Sequence, residues 1–447
     1  MEKTTLEQFA LDHLPQVQEY LTLPSVSAQN QGITETCAWL QQQFTDLGAQ
    51  RVEQWTDQGG NPVLFVEFQG QSDRTVLFYN HYDVQPPEPL DEWKTPAFEP
   101  TIQDGRLIAR GACDDKGELM CRLTVIKYFQ DHGGLPCNLK FIIEGEEEIG
   151  SPHIAQYVTA HAADLKADVC IWEGGGKDEN ENFQIVCGAK GAVSFDLHVK
   201  TAAADLHSSL AVYADNAAWR LVQALASLKT PDNHIAVAGF YDDIRPLTAA
   251  EQAATQAMDF DEDKVRRNYD LQQPLITKDP KTELVNGTTL TINGLTAGYT
   301  GPGSKTIIPK EAHAKLDCRL VPNQDPHKIV HLIQQQLEHN GFGDVQVEYR
   351  LGEAAGRSNL EDPFIQMTKT IADQVYGAEQ VKLIPNMPGA GPIKPFLDQL
   401  HTPIVLVGVR YAGSHPHSPN ENIRLQDYQT GTYYLARVLA TYGASHH

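Results

Sequence analysis

The sequence predicts an α/β protein: a mostly parallel sheet flanked by helices, with a smaller α+β domain inserted into it. Three observations predict this. Short apolar runs alternate with amphipathic stretches up to residue 192 and again from 356. Strands alternating with helices imply a largely parallel sheet covered on both faces. Near residue 190 the texture changes, and GAVSFDLHVKT alternates apolar and polar residues as a half-exposed antiparallel strand does. Finally, 447 residues exceed one typical core. The expected division is a catalytic domain over 1–192 and 356–447, split by an inserted lid or dimerisation domain over 193–355.

The elements follow in order. Residues 5–22 have helical apolar spacing (Leu6, Phe9, Leu14, Val17, Tyr20), and 33–47 repeat it before Gly48. PVLFVEF and TVLFYN have the texture of buried strands. Asp104-Gly105, between TIQ and RLIAR, predicts a hairpin. Residues 116–131 form a helix ended by His132-Gly133-Gly134, and NLKFII and ADVCIW are strands around a helix near 153–163. In the insert, NAAWRLVQALASL and HKIVHLIQQQLEHNG are helices, while LTINGL, HAKLDCRLV and VQVEYRL are strands. The polar stretch 243–285 is irregular and partly helical. After 357 come the helix DPFIQMTKTIADQVYG, the strand TPIVLVGV and a last helix at 426–441.

Bulk chemistry excludes several classes. A net charge of −23 repels phosphate backbones, which argues against nucleic-acid binding. No window approaches the roughly 20 apolar residues of a membrane span, and MEKTTLEQFALDHL lacks the apolar core of a signal peptide. Seven cysteines, none in a CxxC pair, fit buried small hydrophobes in a reducing cytoplasm rather than a disulfide framework. His446 and His447 are a tag remnant or a frayed end and carry no argument.

The chemistry collects after five strand-like runs. TVLFYN leads to His81-Tyr82-Asp83, RLIARGAC to Asp114-Asp115, LKFIIEG to Glu146-Glu147-Glu148, VCIW to Glu173, and PIVLVG to His415-Pro416-His417. Ligands gather at the carboxyl ends of strands in open α/β sheets. Carboxylates crowded there repel one another unless cations neutralise them, and two histidines with several carboxylates suit zinc. Singly, each pattern has a plain alternative. His81 and Asp83 are an ordinary polar loop, the glutamates a solvated turn, Asp114 a helix cap, Glu173 a turn and His417 an exposed loop residue. Composition alone does not say which glutamate binds metal and which moves protons.

The segments NHYDVQPPEPLDEWKTPAFEP, RGACDDKGELM, EGEEEIGSP and HSPNEN, in this order, resemble the signatures of a family of dinuclear zinc hydrolases. That family includes carnosine dipeptidases, carboxypeptidase G, aminoacylase, acetylornithine deacetylase and succinyl-diaminopimelate desuccinylase. The resemblance covers nearly the whole chain. It implies two Zn²⁺ ions, with Mn²⁺ or Co²⁺ also compatible with the ligands. It implies that His81 and Glu173 hold one ion and Glu148 and His417 the other. Asp114 would bridge them, and its bond to Asp115 would be cis. Asp83 would orient His81, and Glu147 would be the general base.

In the insert, ADLHSSLAVYADNAAWRLVQAL, GPGSKTIIP and HAKLDCRLVPN resemble the family's lid segments. They imply that His207 stabilises an oxyanion in the partner subunit of a homodimer, with Thr306 and Arg319 on the substrate. Arg319 would receive a carboxylate, for which a guanidinium fork is suited. MPGAGPIKPF implies a substrate-bordering loop around Gly389 and Gly391. Carnosinase-like dipeptidases usually carry Asp where this chain has Glu173, whereas many deacylases and carboxypeptidases carry Glu. The expected activity is hydrolysis of dipeptides or short peptides. The alternatives are an N-acyl amino acid deacylase or desuccinylase, and a metal-free binding protein of the same fold.

Overall fold

The computed structural model describes residues 2–445, so His446 and His447 lie outside the described residues. The chain divides into two compact units. One comprises Met1–Gly188, Arg357–Pro385 and Pro395–His447; the other comprises Ala189–Gly356 and Asn386–Lys394. The segment Asn386–Lys394, expected with the first domain, clusters with the second unit. Its strand Met387–Ala390 pairs in parallel with Ala189 and Lys190.

The first unit is built on a ten-stranded sheet. Four neighbouring strands run parallel: Asn138–Glu144, Thr75–His81, Val169–Trp172 and Ile404–Leu406. Outside this block the pairing is mixed. Arg51–Trp55 and Val63–Phe68 join antiparallel at one margin, and Ile404–Leu406 meets Phe183–Val186 antiparallel at the other. The parallel character is therefore central rather than general. The four parallel strands are almost fully buried, which is why they read as continuous apolar runs.

Local chemistry explains two boundaries. The helix expected over 5–22 is two helices, Lys3–Asp12 and Leu14–Leu21, because Pro15 cannot donate within a helix interior but is tolerated in a first turn. The hairpin at Asp104-Gly105 forms with both residues at positive φ, as a tight two-residue turn requires. Its strands belong to a separate three-stranded sheet with Asn422–Arg424. The run before Asp114 is therefore not a strand of the main sheet. Asp114 arrives from a loop that enters the helix Lys116–Asp131.

The second unit contains an antiparallel sheet ordered Thr291–Ala297, Glu311–Leu320, Gly188–Lys200, Gln346–Glu353. One face packs Val193, Phe195, Leu197 and Leu316 with Leu221 of the helix Ala217–Ser227 and Ile329 and Ile333 of the helix Pro326–His339. The alternation that marked GAVSFDLHVKT follows from this one-sided burial. All seven cysteines are free and buried. No helix of the described residues is long and apolar enough to cross a membrane.

Arg122 is the buried tie of the first unit. From the helix Lys116–Asp131 it donates to the Tyr79 carbonyl at 2.6 Å, to the Asn80 side chain and to the Trp172 carbonyl at 2.8 Å. It thereby links two adjacent parallel strands to the helix that begins beside Asp114. Replacing Arg122 with Leu leaves these acceptors unpaired. Unfolding stability should fall by about 3 kcal/mol in a urea titration; a loss within measurement error would contradict this role.

Candidate metal centre

The main sheet brings four of the sequence-predicted groups together through its parallel block. His81 ends one strand, Glu147 and Glu148 follow the next, Glu173 follows the third, and the loop carrying His417 follows the fourth. Asp114 is delivered to the same place by the helix Lys116–Asp131. A Cβ at Gly117 would stand 2.0 Å from the Ala112 carbonyl oxygen, so glycine is what lets that helix start against the loop. The Asp114–Asp115 peptide is cis.

Asp114 lies between the two histidines. Its Oδ1 is 3.1 Å from His81 Nε2 and its Oδ2 is 3.0 Å from His417 Nε2. Potential ligand atoms of His81, Asp114 and Glu173 lie within 4.8 Å of one another, and so do those of Asp114, Glu148 and His417. His417 Nε2 is 3.2 Å from Glu148 Oε2. The arrangement is two trios sharing one carboxylate. Each trio offers one imidazole and two carboxylates, a donor set that fits zinc and similar divalent ions.

Asp83 acts on His81 chiefly through its main chain. His81 Nδ1 donates to the Asp83 carbonyl at 3.0 Å, while the carboxylate Oδ1 is 3.4 Å away. This places a proton on Nδ1 and turns Nε2 toward Asp114. The Asp83 carboxylate instead accepts the Glu147 and Glu148 backbone N–H groups at 3.2 and 3.1 Å. It thus sets the short turn Glu147–Ile149 that aims both glutamates. Their neighbours are occupied elsewhere: Glu144 accepts from Tyr79 and Ser151, and Glu146 pairs with His153 at 2.6 Å.

Glu147 belongs to neither trio. Burial and the nearby Glu173, Asp114 and Glu148 raise its pKa well above the usual carboxylate range, against the opposing charge of His81. Burial also penalises the Asp114 carboxylate, yet Arg410, His417 and His81 overcome it and hold its pKa well below the usual range. Hydrogen bonds to Asp114 and Glu148 raise the His417 imidazole to about 10.

Residues outside the expected ligand set also shape the centre. Glu421 is fully buried and accepts N–H groups from Gly111, Cys113 and Asp114 at 2.9, 2.8 and 3.0 Å, with Arg110 as its counter-charge at 2.8 Å. Arg410 donates to Asp114 at 2.9 Å and Glu173 at 2.7 Å. Asp115 accepts from Asn80 at 2.5 Å and from the His81 N–H at 3.1 Å. Glu421 stood inside the segment HSPNEN, but Arg410 had no motif to mark it. Cys113 is buried with its thiol toward the Ser414 carbonyl.

The remaining predicted residues lie in the second unit. His207 is exposed, and its Nδ1 accepts the Ser209 backbone N–H at 3.2 Å. The Nε2 nitrogen therefore carries the proton and is a donor. Thr306 lies across from this turn, its carbonyl accepting from the Ser208 N–H at 3.0 Å. Arg319 is half-exposed, with Asp317 3.8 Å from its guanidinium and the Glu353 carboxyl also within its electrostatic reach. Gly389 is exposed on the strand Met387–Ala390, and Gly391 is buried just beyond it.

This fold and donor set define a hydrolase of the metallopeptidase class. Residues 77–441 match the model of peptidase family M20/M25/M40. The chain is 30% identical to human Beta-Ala-His dipeptidase over 414 residues, covering 88% of this chain and 79% of that protein. It is 30% identical to the Cys-Gly metallodipeptidase dug1 of Schizosaccharomyces pombe, covering 71% of each. Among solved structures it resembles an M20 family metallo-carboxypeptidase, Sso-CP2 of Sulfolobus solfataricus, at TM-score 0.88 and 35% identity, over 97% of this chain and 99% of that one. The chain belongs to peptidase family M20/M25/M40.

The Glu421 contacts predict a measurable dependence. Glu421→Leu removes the acceptor for three N–H groups around Asp114, so divalent-metal affinity should fall by about 10–100-fold in a chelator competition. Unchanged affinity in a folded variant would show that Asp114 does not need this anchor.

Proposed function

We propose that this peptidase cleaves dipeptides with a pair of divalent metal ions, zinc foremost, held by His81, Asp114, Glu148, Glu173 and His417. The observation that carries the reading is Asp114, whose two oxygens face two different histidines at 3.1 and 3.0 Å. Similarity to the Beta-Ala-His and Cys-Gly dipeptidases supports the substrate class. When bound, such ions polarise a carbonyl and lower the pKa of water toward about 7.

The chain's own residues supply the rest. Glu147 takes the proton of the attacking water and passes it to the leaving amine, a role open to it because it adjoins Glu148 but belongs to neither ligand trio. His207 offers its Nε2–H to the developing oxyanion, serving the neighbouring copy in a homodimer formed through the second unit. Arg319 receives the substrate carboxylate, for which its half-exposed guanidinium fork is suited. Thr306 and the stretch from Gly389 to Gly391 border the substrate. The setting is the cytoplasm, in keeping with free cysteines throughout.

A second reading is release of an amino acid from an N-acylated or longer substrate. Glu173 and the 35% identity to a carboxypeptidase favour it. Both readings place a free carboxylate on the substrate. Comparing kcat/KM for dipeptides with that for N-acetyl and N-succinyl amino acids separates them, and the first reading expects dipeptides to lead.

Three outcomes test the mechanism. Chelation should abolish hydrolysis and zinc should restore it. Glu147→Gln should lower kcat by about 100- to 10,000-fold with metal content intact; near-wild-type turnover would remove Glu147 from this role. His207→Ala should lower kcat by about 100- to 1000-fold. Less than one tightly bound metal per chain together with no hydrolysis would instead identify a metal-free binding protein.

A further inference from the structure

The outward face of the second unit's sheet carries a second group of metal-type donors. His198 and His313 are direct register partners on adjacent antiparallel strands. Their rings stack with centroids 4.2 Å apart and planes 8° from parallel. Glu311 is two residues from His313, so it projects on the same face. Its Oε2 is 4.0 Å from His198 Nε2, while its Oε1 pairs with Lys310 at 3.5 Å. One ligand atom from each of the three residues lies within 4.8 Å of the other two.

Two features distinguish this trio from ordinary surface polarity. The His198 Nε2 atom is sealed from solvent and has no hydrogen-bond partner among the described residues, although the residue as a whole is half-exposed. A shielded polar atom without a partner is costly unless something else satisfies it. In addition, the two imidazoles are held by the strand register, not by flexible loops. Tetrahedral zinc with bonds of about 2.0–2.1 Å places its donors roughly 3.4 Å apart. Binding one ion requires both rings to turn out of the stacked arrangement, so that their in-plane lone pairs converge with the Glu311 carboxylate at that spacing.

We propose that His198, His313 and Glu311 form a further binding site for a divalent transition ion of the zinc type. Three protein donors leave a coordination position to solvent, so the site exchanges its ion readily. It shares no residue with the centre around Asp114 and does not depend on that centre's assignment. Lys200, in register with Glu311, and Lys310 set the local charge against which the ion binds.

The test uses the full chain with His446 and His447 replaced by Ala, saturated with zinc at the Asp114 centre. Equilibrium dialysis against Zn²⁺ with elemental analysis should find one further equivalent. In His313→Gln and in Glu311→Gln the affinity for that equivalent should weaken by roughly 10-fold or more. In the His198→Gln/His313→Gln pair it should be lost, while kcat with the centre loaded stays unchanged. The reading is a difference between chains, so an error about the Asp114 centre does not affect it. Absence of the further equivalent in the parent, or its survival in the double variant, overturns the proposal. Circular dichroism identifies any variant that fails to fold, and the remaining variants then decide the matter.

Discussion

The centre depends on keeping mutually repulsive carboxylates close together. Asp114, Glu147, Glu148 and Glu173 converge at the ends of parallel strands, where burial strengthens their repulsion. The chain resolves this by holding Asp114 from behind as well as in front. Behind it, Glu421 accepts the loop's backbone N–H groups and is itself neutralised by Arg110. In front, both Asp114 oxygens meet imidazoles, and Arg410 spans Asp114 and Glu173. Arg410 and the two imidazoles are the positive groups that the chain itself sets against these carboxylates.

The same economy recurs in the surrounding structure. Asp83 uses its carbonyl to set the His81 tautomer and its carboxylate to set the glutamate turn, so one residue orients donors of both trios. Asn80 links Arg122 to Asp115. Through these contacts the strand Thr75–His81 and the helix Lys116–Asp131 act as one support. Positioning donors from packed strands and a helix limits how far they can separate under their own repulsion.

Much of this was legible locally. Helix, strand and hairpin signals arise from neighbouring residues, and Asp104-Gly105 or the run 116–131 needed no distant partner. The groups gathered around Asp114 also stood out, because His81, Glu148, Glu173 and His417 each follow a recognisable strand. Arg410 and Glu421 were less legible for a physical reason. Their importance lies in what they touch, and Arg410 reaches Glu173 across 237 positions of sequence. Likewise nothing local joins His198 to His313, 115 residues away, until the sheet register places them side by side.

The sequence by itself determined the α/β class and the residue types able to bind a divalent ion, because periodicity, turn chemistry and donor identity are properties of short segments. Only the tertiary structure decided that Asp114 comes from a loop outside the main sheet, that Asp83 orients His81 through a carbonyl, and that Asn386–Lys394 belongs with the second unit. Those outcomes depend on which backbone groups remain to be paired once distant segments have packed, and no local pattern encodes that.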